Sequence, residues 1–256
     1  MMEEPLVKIV PTANSSCAIL LNRPLKKNAL NISLLTSFLQ AMESVGSDPD
    51  VRTIFLMTSG NDFCTGMDLT EAADESLIDK SSHLIEKAFL ALLTCGKVTI
   101  SCIQGKAYAG GAGLALACDF MLMEEGSSLA FPEVKRGLSP ALVSAILAAK
   151  LPGSIISKLL LFSHELTADE SLKLQLAYAL VKKGDLLQAA IHLASTTLSA
   201  SPEAISETKQ LLLKNYRIKE CFSEAAKVHR QARRSKDAAE GIQAFVEKRK
   251  PSWASN

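Results

Sequence analysis

Short, nearly uninterrupted apolar runs punctuate the first half of the chain, at Leu6–Val10, Cys17–Leu21, Thr53–Thr58, Val98–Ile103 and Phe120–Met123. Most are separated by stretches with helical spacing, and strands alternating with helices predict an α/β sheet rather than a sandwich. The first helix is the best signalled: in NISLLTSFLQAMESVG, apolar residues fall at 34, 35, 38, 39, 42 and 45, Asn31 or Ser33 can cap, and Gly46 supplies an exit. A second helix is expected over Leu84–Leu93, with the polar stretch LTEAADESLIDKSSH before it as a mobile loop.

From about Ser139 onward the pattern is nearly all helical, through LVSAILAAKL, SIISKLLLFS, ADESLKLQLAYAL, DLLQAAIHLASTTL, PEAISETKQLLLKN and a charged stretch reaching Phe245. The chain therefore divides into an α/β body and a helical C-terminal part. Pro152, Gly184 and Pro202 fit helix starts and stops rather than linkers, and no internal repeat interrupts the reading.

Such elements need a large core, and 48% of the 256 residues are apolar against 21% charged. No window approaches the roughly 18 to 20 uncharged apolar residues of a membrane span, so membrane and fibrous classes drop out. Lys plus Arg (28) nearly balances Asp plus Glu (27), for a net charge of +1. Without a basic field, neither nucleic acid nor anionic lipid is an expected partner; a small, locally recognised ligand is. Cys17, Cys64, Cys95, Cys102, Cys118 and Cys221 form no C-x-x-C pair and no Cys/His cluster at zinc spacing. They read as reduced thiols, mostly core filler, in a cytoplasmic setting, and no metal is expected. The opening MMEEPLVKIV reads as neither a secretory signal nor an Arg-rich transit peptide, and the closing PSWASN is not a peroxisomal address.

Candidate chemistry begins with glycine. GKAYAGGAGLALACD follows the strand VTISCI and carries four glycines from Gly105 to Gly113. Glycines between a strand and a helix permit close backbone approach and leave helix N-terminal amides free. Both G-x-G-x-x-G and G-x-x-x-x-G-K-[ST] are absent, which removes the dinucleotide and phosphate-loop readings. Tight packing explains one or two such glycines more easily than GGAG in a row. A second loop, FCTGMDL (Phe63–Leu69), follows the strand TIFLMT. Two such loops can each present a backbone N–H, and a pair of donors can hold one developing oxyanion. Gly66 followed by Asp68 is equally an ordinary turn that opens a helix.

Four segments, NRPLKKNAL (Asn22–Leu30), FCTGMDL, Gly105–Asp119 and FPEVKRGLSPAL (Phe131–Leu142), occur in the order and spacing of the crotonase, or enoyl-CoA hydratase/isomerase, family. Together they carry a resemblance that none carries alone. It implies a crotonase-like α/β spiral of ββα units over 1–195 and a C-terminal helical region over 196–256 of the kind that trimerises. A homotrimer or dimer of trimers is the implied assembly, although Gln175 stands where the family usually has Gly. The implied substrate is an acyl-CoA or acyl-carrier thioester, with no metal, flavin or nicotinamide and no cofactor beyond the coenzyme A of the substrate. Residue by residue, the backbone amides of Met67 and Gly110 correspond to the oxyanion hole and Glu133 to the acid/base carboxylate. Lys26, Lys27, Ala29, Thr65, Gly66, Asp68 and Leu69 correspond to positions that bind the coenzyme. The family's other frequent glutamate would fall at Gly113, and a carboxylate position of some isomerases at Ala141–Leu142; neither residue is acidic here.

Two fixed amides stabilise the enolate formed when a nucleophile adds at C3 of a 2-enoyl thioester or a proton leaves C2. Losing one such donor raises the barrier by about 3 to 4 kcal/mol. A hydratase must deprotonate water and protonate C2; one glutamate can do both in turn, with Gly113 leaving room for a water. An isomerase needs one base that lifts a proton from C2 of a 3-enoyl thioester and returns it at C4, which a single carboxylate suits at least as well. GGAGLALACD joined to PEVKRGLSPALVSAIL resembles hydratase and methylglutaconyl-type members with Gly at the first acid position, so hydration is the favoured expectation. A non-catalytic member that only binds acyl-CoA is one competing class, and nucleic-acid binding through the basic helix is a further one.

Against a catalytic Glu133 stands the ordinary alternative of a solvent-facing carboxylate beside Lys135 and Arg136. Were it catalytic, burial would raise its pKa. Asp68 and Asp119 are the next acids to consider. His192 reads as wet surface, while His83, His164 and His229 lack a Cys or carboxylate partner at ligand spacing. Cys64 reads as packing, KVHRQARRSK (Lys227–Lys236) as a solvated helix face, and EKRK at 247–250 as a weaker phosphate contact than Lys26 and Lys27.

Overall fold

The computed structural model describes residues 4–254. Residues 1–3 and 255–256, on which the readings of MMEEPLVKIV and PSWASN partly rest, lie outside them. The strands are β1 (Val7–Thr12), β2 (Ser16–Leu21), β3 (Thr53–Thr58), β4 (Val98–Ile103), β5 (Lys106–Tyr108), β6 (Phe120–Glu124), β7 (Ser128–Ala130), β8 (Leu166–Thr167) and β9 (Ala179–Val181). The helices are α1 (Ile32–Ser47), α2 (Leu69–Ala72), α3 (Ile78–Leu93), α4 (Gly110–Ala117), α5 (Ala141–Leu147), α6 (Gly153–Leu161), α7 (Ala168–Lys173), α8 (Leu186–Ser195), α9 (Pro202–Asn215), α10 (Ile218–Arg233) and α11 (Lys236–Val246). Beyond the β1–β2 hairpin, the larger sheet runs parallel in the order β1-β2-β3-β4-β6-β9, and β5-β7-β8 form a smaller one. Two turns of a ββα spiral, β4-β5-α4 and β6-β7-α5, leave their loops at the same end of the molecule.

Alternation within the parallel strands feeds two cores. Ile54 and Leu56 of β3 face α1 and α3 with Leu34, Phe38 and Phe89, while Phe55 faces α8 with Leu186 and Ala190. β4 is buried at every position, which is what an unbroken apolar run encodes when helices cover both faces.

Several sequence expectations change. Asn31, not Ser33, caps α1 by accepting from the Leu34 amide at 2.9 Å, and the helix runs through Gly46 to Ser47. Gly46 has open space where a side chain would sit, so the helix needs no exit there. The expected mobile stretch is largely helical: Asp68 caps α2, Asp74 caps a single 3-10 turn, and α3 begins at Ile78 rather than Leu84. Its Ser81 and Ser82 are buried because they accept from Arg233, so polarity there marked an internal contact rather than solvent. The C-terminal half is not all helix, because β8 and β9 add to the two sheets. Gln175 adopts a left-handed conformation (φ 58°) that ends α7 and lets the Tyr178 amide donate to Met121. That backbone requirement accounts for a preference for Gly, which Gln meets at some strain.

α10 lies antiparallel on α3, fixed by Phe222 against Phe89 (ring centroids 6.1 Å apart) and by Arg230 to Glu86 at 2.9 Å. α9 is tied to the sheet by Lys209, whose ammonium donates to the Lys97 carbonyl and the Asp119 carboxylate, each at 2.6 Å. Among the described residues no helix is long and apolar enough to cross a membrane.

Candidate active site

A cavity of about 510 Å³ opens where the ends of β2, β3, β5 and β7 meet α3, α10 and α11. The segment after β2 contributes Lys26, Lys27 and Ala29, and the β3–α2 loop contributes Thr65, Met67, Asp68 and Leu69. Gly110 and Glu133 enter from the loops after β5 and β7. All the positions expected from the sequence line this space except Gly66, which shapes it from behind. The helices add residues that sequence reasoning did not select: Ile85 and Phe89 from α3, His229 from α10 and Phe245 from α11.

Backbone bonding sets two amides free at one spot. The Leu30 amide donates to Gly66 at 2.8 Å and the Asp68 amide to Leu30 at 2.9 Å, so the parallel bridge straddles Met67 and leaves its N–H without an acceptor. Gly110 opens α4, where the first amides have no partner inside the helix, and the positive end of the helix dipole adds to their pull on an anion. Gly66, at φ 87°, lets the two segments touch: a Cβ there would stand 2.8 Å from that of Ala109 and 3.2 Å from the Gly110 nitrogen. Ala109 takes φ 50° and ψ −124°, a conformation that costs a non-glycine residue about 1 to 3 kcal/mol. Its amide donates to Ala130 at 2.8 Å and its carbonyl accepts from Gly113 at 2.9 Å, and these bonds hold the turn that aims Gly110.

Glu133 begins a 3-10 turn after Pro132, and its Oε2 is shielded from solvent with no hydrogen-bond partner. Burial pushes its carboxyl up from 4.5 to about 7, against smaller opposing pulls from its own amide and from Arg136. The solvent-facing alternative is thereby removed. Arg136, itself desolvated, stacks at 5.0 Å on the Phe245 ring and so links the Glu133 turn to α11. Tyr108, on the cavity wall, donates to Glu165 at 2.6 Å.

Gly113 does not leave room for a water. A Cβ at Gly113 would lie 2.2 Å from Cζ of Phe89, so the aromatic ring occupies the space in which a side chain at this position would begin. Small size at Gly113 and large size at Phe89 are one packing arrangement.

The alternative acids are committed elsewhere. Asp68 accepts from Arg23 at 2.6 Å and from the Thr70 amide at 3.0 Å, and Asp119 holds Lys209 and Thr99. Cys64 is fully buried, its thiol donating to the Asn28 carbonyl at 3.0 Å, and burial pushes it up to about 12. Arg249 of EKRK is paired with Glu240 and Glu247, which removes it as a free phosphate contact. His164 does have a carboxylate neighbour, Glu170 at 3.4 Å, formed as Glu170 closes the α7 capping box; His192 is exposed as expected. The Lys227–Lys236 stretch is not simply a solvated face: Arg233 is buried and His229 lines the cavity. Spacing from Phe222, seven residues earlier, is the sequence signal that places His229 on the inward side. Among the described residues no cluster of His, Cys, Asp and Glu could hold a metal ion.

Known proteins resemble this chain over nearly its whole length. An enoyl-CoA hydratase of Mycobacterium tuberculosis is 31% identical over 257 residues, covering 96% of this chain and 95% of its own. The carnitinyl-CoA dehydratase of Proteus mirabilis is 30% identical over 251 residues, 94% and 96% of the two chains. The crystal structure of an enoyl-CoA hydratase from Mycobacterium avium superposes with a TM-score of 0.85 at 28% identity, covering 98% of this chain and all of that one. The family model described as enoyl-CoA hydratase/isomerase matches residues 12–256, and the chain belongs to that family.

Proposed function

We propose that the protein adds water reversibly to a 2-enoyl thioester of coenzyme A, with Glu133 as its one acid/base group. The observation that carries this is the buried, unpartnered Glu133 Oε2 in the same cavity as the two free amides of Met67 and Gly110. The ionised carboxylate takes a proton from water as the oxygen bonds to C3. The C2–C3 π electrons move toward the thioester carbonyl, whose oxygen gains charge between the two amides. The same carboxyl then delivers its proton to C2 as the carbonyl re-forms. A pKa of about 7 suits a group that must both take and return a proton near neutrality. Lys26 and Lys27 at the mouth suit the phosphates of the coenzyme, with Ala29, Thr65, Gly66, Asp68 and Leu69 shaping the path between. An exposed apolar pair, Leu161 at 66% and Phe162 at 76%, supports a homotrimer or dimer of trimers, which sedimentation tests.

A second reading, isomerisation of a 3-enoyl to a 2-enoyl thioester, is favoured by one feature. Phe89 makes the wall beside Gly113 apolar, and proton transfer from C2 to C4 needs no water. Separate incubations with a 2-enoyl-CoA and a 3-enoyl-CoA discriminate between them. Hydration consumes the conjugated thioester of the first, whereas isomerisation creates conjugation from the second. If both stay inert while CoA thioesters still bind, both readings fall and a non-catalytic binding role replaces them.

A further inference from the structure

One wall of the cavity is unlike the rest. Pockets for hydrocarbon chains are lined by apolar side chains with few polar groups, yet α10 places His229 there with its Nε2 buried and unpartnered. One turn on, and on the same face, Arg233 is 3% exposed. Its Nη1 donates to Ser81 at 2.7 Å, Ser82 at 2.9 Å and the Ile78 carbonyl at 3.3 Å, while its Nε and Nη2 have no partner. Two carboxylates, Glu71 and Asp79, act on it from beyond ion-pair distance, and each has a nearer contact of its own: Glu71 accepts from the Ile32 amide at 2.9 Å, and Asp79 pairs with Arg234. A buried guanidinium with no carboxylate in direct contact and two unpartnered nitrogens, beside a buried imidazole nitrogen without a partner, leaves donors for a further anion.

The register between α3 and α10 says where that anion would sit. Phe222 packs on Phe89 and Arg233 meets Ser82, which puts His229 between them near the level of Ile85, and Ile85 and His229 line the cavity together with Phe89, Leu142 and Val143. Burial, reinforced by the charges of Arg233 and Arg230, drives His229 down to about 4, so its ring is neutral near pH 7. Burial also brings Arg233 down to about 10, which leaves it charged.

We propose that the α10 wall binds a carboxylate at the far end of the acyl chain, with His229 donating a hydrogen bond and Arg233 supplying the countercharge, so that the preferred substrates are monothioesters of dicarboxylic acids. This rests on the reading of the cavity as an acyl-CoA site. It does not depend on whether the chemistry there is hydration or isomerisation.

The test uses saturated thioesters, which bind without turning over. Calorimetric dissociation constants are measured on the full chain for succinyl-, glutaryl- and adipoyl-CoA against butyryl-, pentanoyl- and hexanoyl-CoA. A charge-assisted contact to a desolvated anion predicts that at least one dicarboxylic member binds about tenfold or more tighter than its methyl-ended match. That ratio is expected to fall toward one in His229→Phe and in Arg233→Gln. Should Arg233→Gln fail to fold, judged by its melting curve, His229→Phe alone decides. Tight binding of the methyl-ended series with no dicarboxylic preference overturns this proposal and leaves the acyl-CoA reading standing. A preference that survives substitution at His229 also overturns it. Binding of neither series sinks both.

Discussion

Replacing Glu133 by Gln keeps the size of the side chain and removes its charge and its proton, and the structure predicts opposite consequences for stability and activity. Raising a carboxyl from 4.5 to about 7 corresponds to about 3 kcal/mol held against its ionised form. The folded protein therefore binds this proton more tightly than the unfolded chain does. The cost is absent below about pH 4.5, grows as pH rises toward 7, and is fully present above it. Gln is neutral throughout. Glu133→Gln should melt close to wild type at pH 4.5 and well above it at pH 8.5. At about 2 to 4 °C per kcal/mol for a chain of this size, the gain is on the order of 6 to 12 °C. Turnover of an enoyl thioester should meanwhile fall by about 10² to 10⁴. Melting curves of both proteins at the two pH values, paired with initial rates, make the comparison. An equal melting difference at both pH values would falsify the buried, uncompensated carboxylate, and undiminished turnover would remove Glu133 from the chemistry.

For the forward hydration, kcat/KM should climb with pH through about 7, because the carboxylate must be ionised to take a proton from water; a profile flat from pH 6 to 8 contradicts that role. Met67→Ala should slow turnover far less than Glu133→Gln, since Met67 acts through its backbone amide, and comparable losses would reassign it. Gly113→Glu alone should lower the melting temperature sharply because its Cβ meets the Phe89 ring, and adding Phe89→Ala should recover part of the loss; strictly additive losses in the double-mutant cycle would show that the two sites do not share one space. Lys209→Met should cost about 1 to 3 kcal/mol by removing the charged partner of an Asp119 carboxylate that keeps its Thr99 contacts, measured by urea unfolding, and a change below about 0.5 kcal/mol would mean water replaces the ammonium.

The ββα body was legible because its strands are short apolar runs and α1 has a plain 3.6-residue period. What was lost was lost for identifiable physical reasons. LTEAADESLIDKSSH reads as solvent-facing, yet Asp68 and Asp74 cap short helical turns and Ser81 and Ser82 turn inward to Arg233, a partner some 150 residues away. β8 and β9 are too short to show a period of two. At the site, the glycine loops and Glu133 were found through resemblance, and local spacing alone would have left Glu133 as an ordinary surface acid. Phe89 was missed because nothing local marks it, and His229 because its spacing from Phe222 signals an inward face without saying what that face meets. Each acquires its place only when α3 and α10 pack antiparallel across the cavity.

The central claim is that water adds to a 2-enoyl thioester in this cavity under the control of Glu133. Incubating the wild-type protein with a 2-enoyl-CoA in water enriched in oxygen-18, then weighing the product by mass spectrometry, tests it directly. The account predicts a 3-hydroxyacyl-CoA carrying one solvent-derived oxygen, formed by wild type and nearly absent with Glu133→Gln. Unchanged 2-enoyl-CoA, together with conversion of a 3-enoyl-CoA to its conjugated isomer without label, would contradict it.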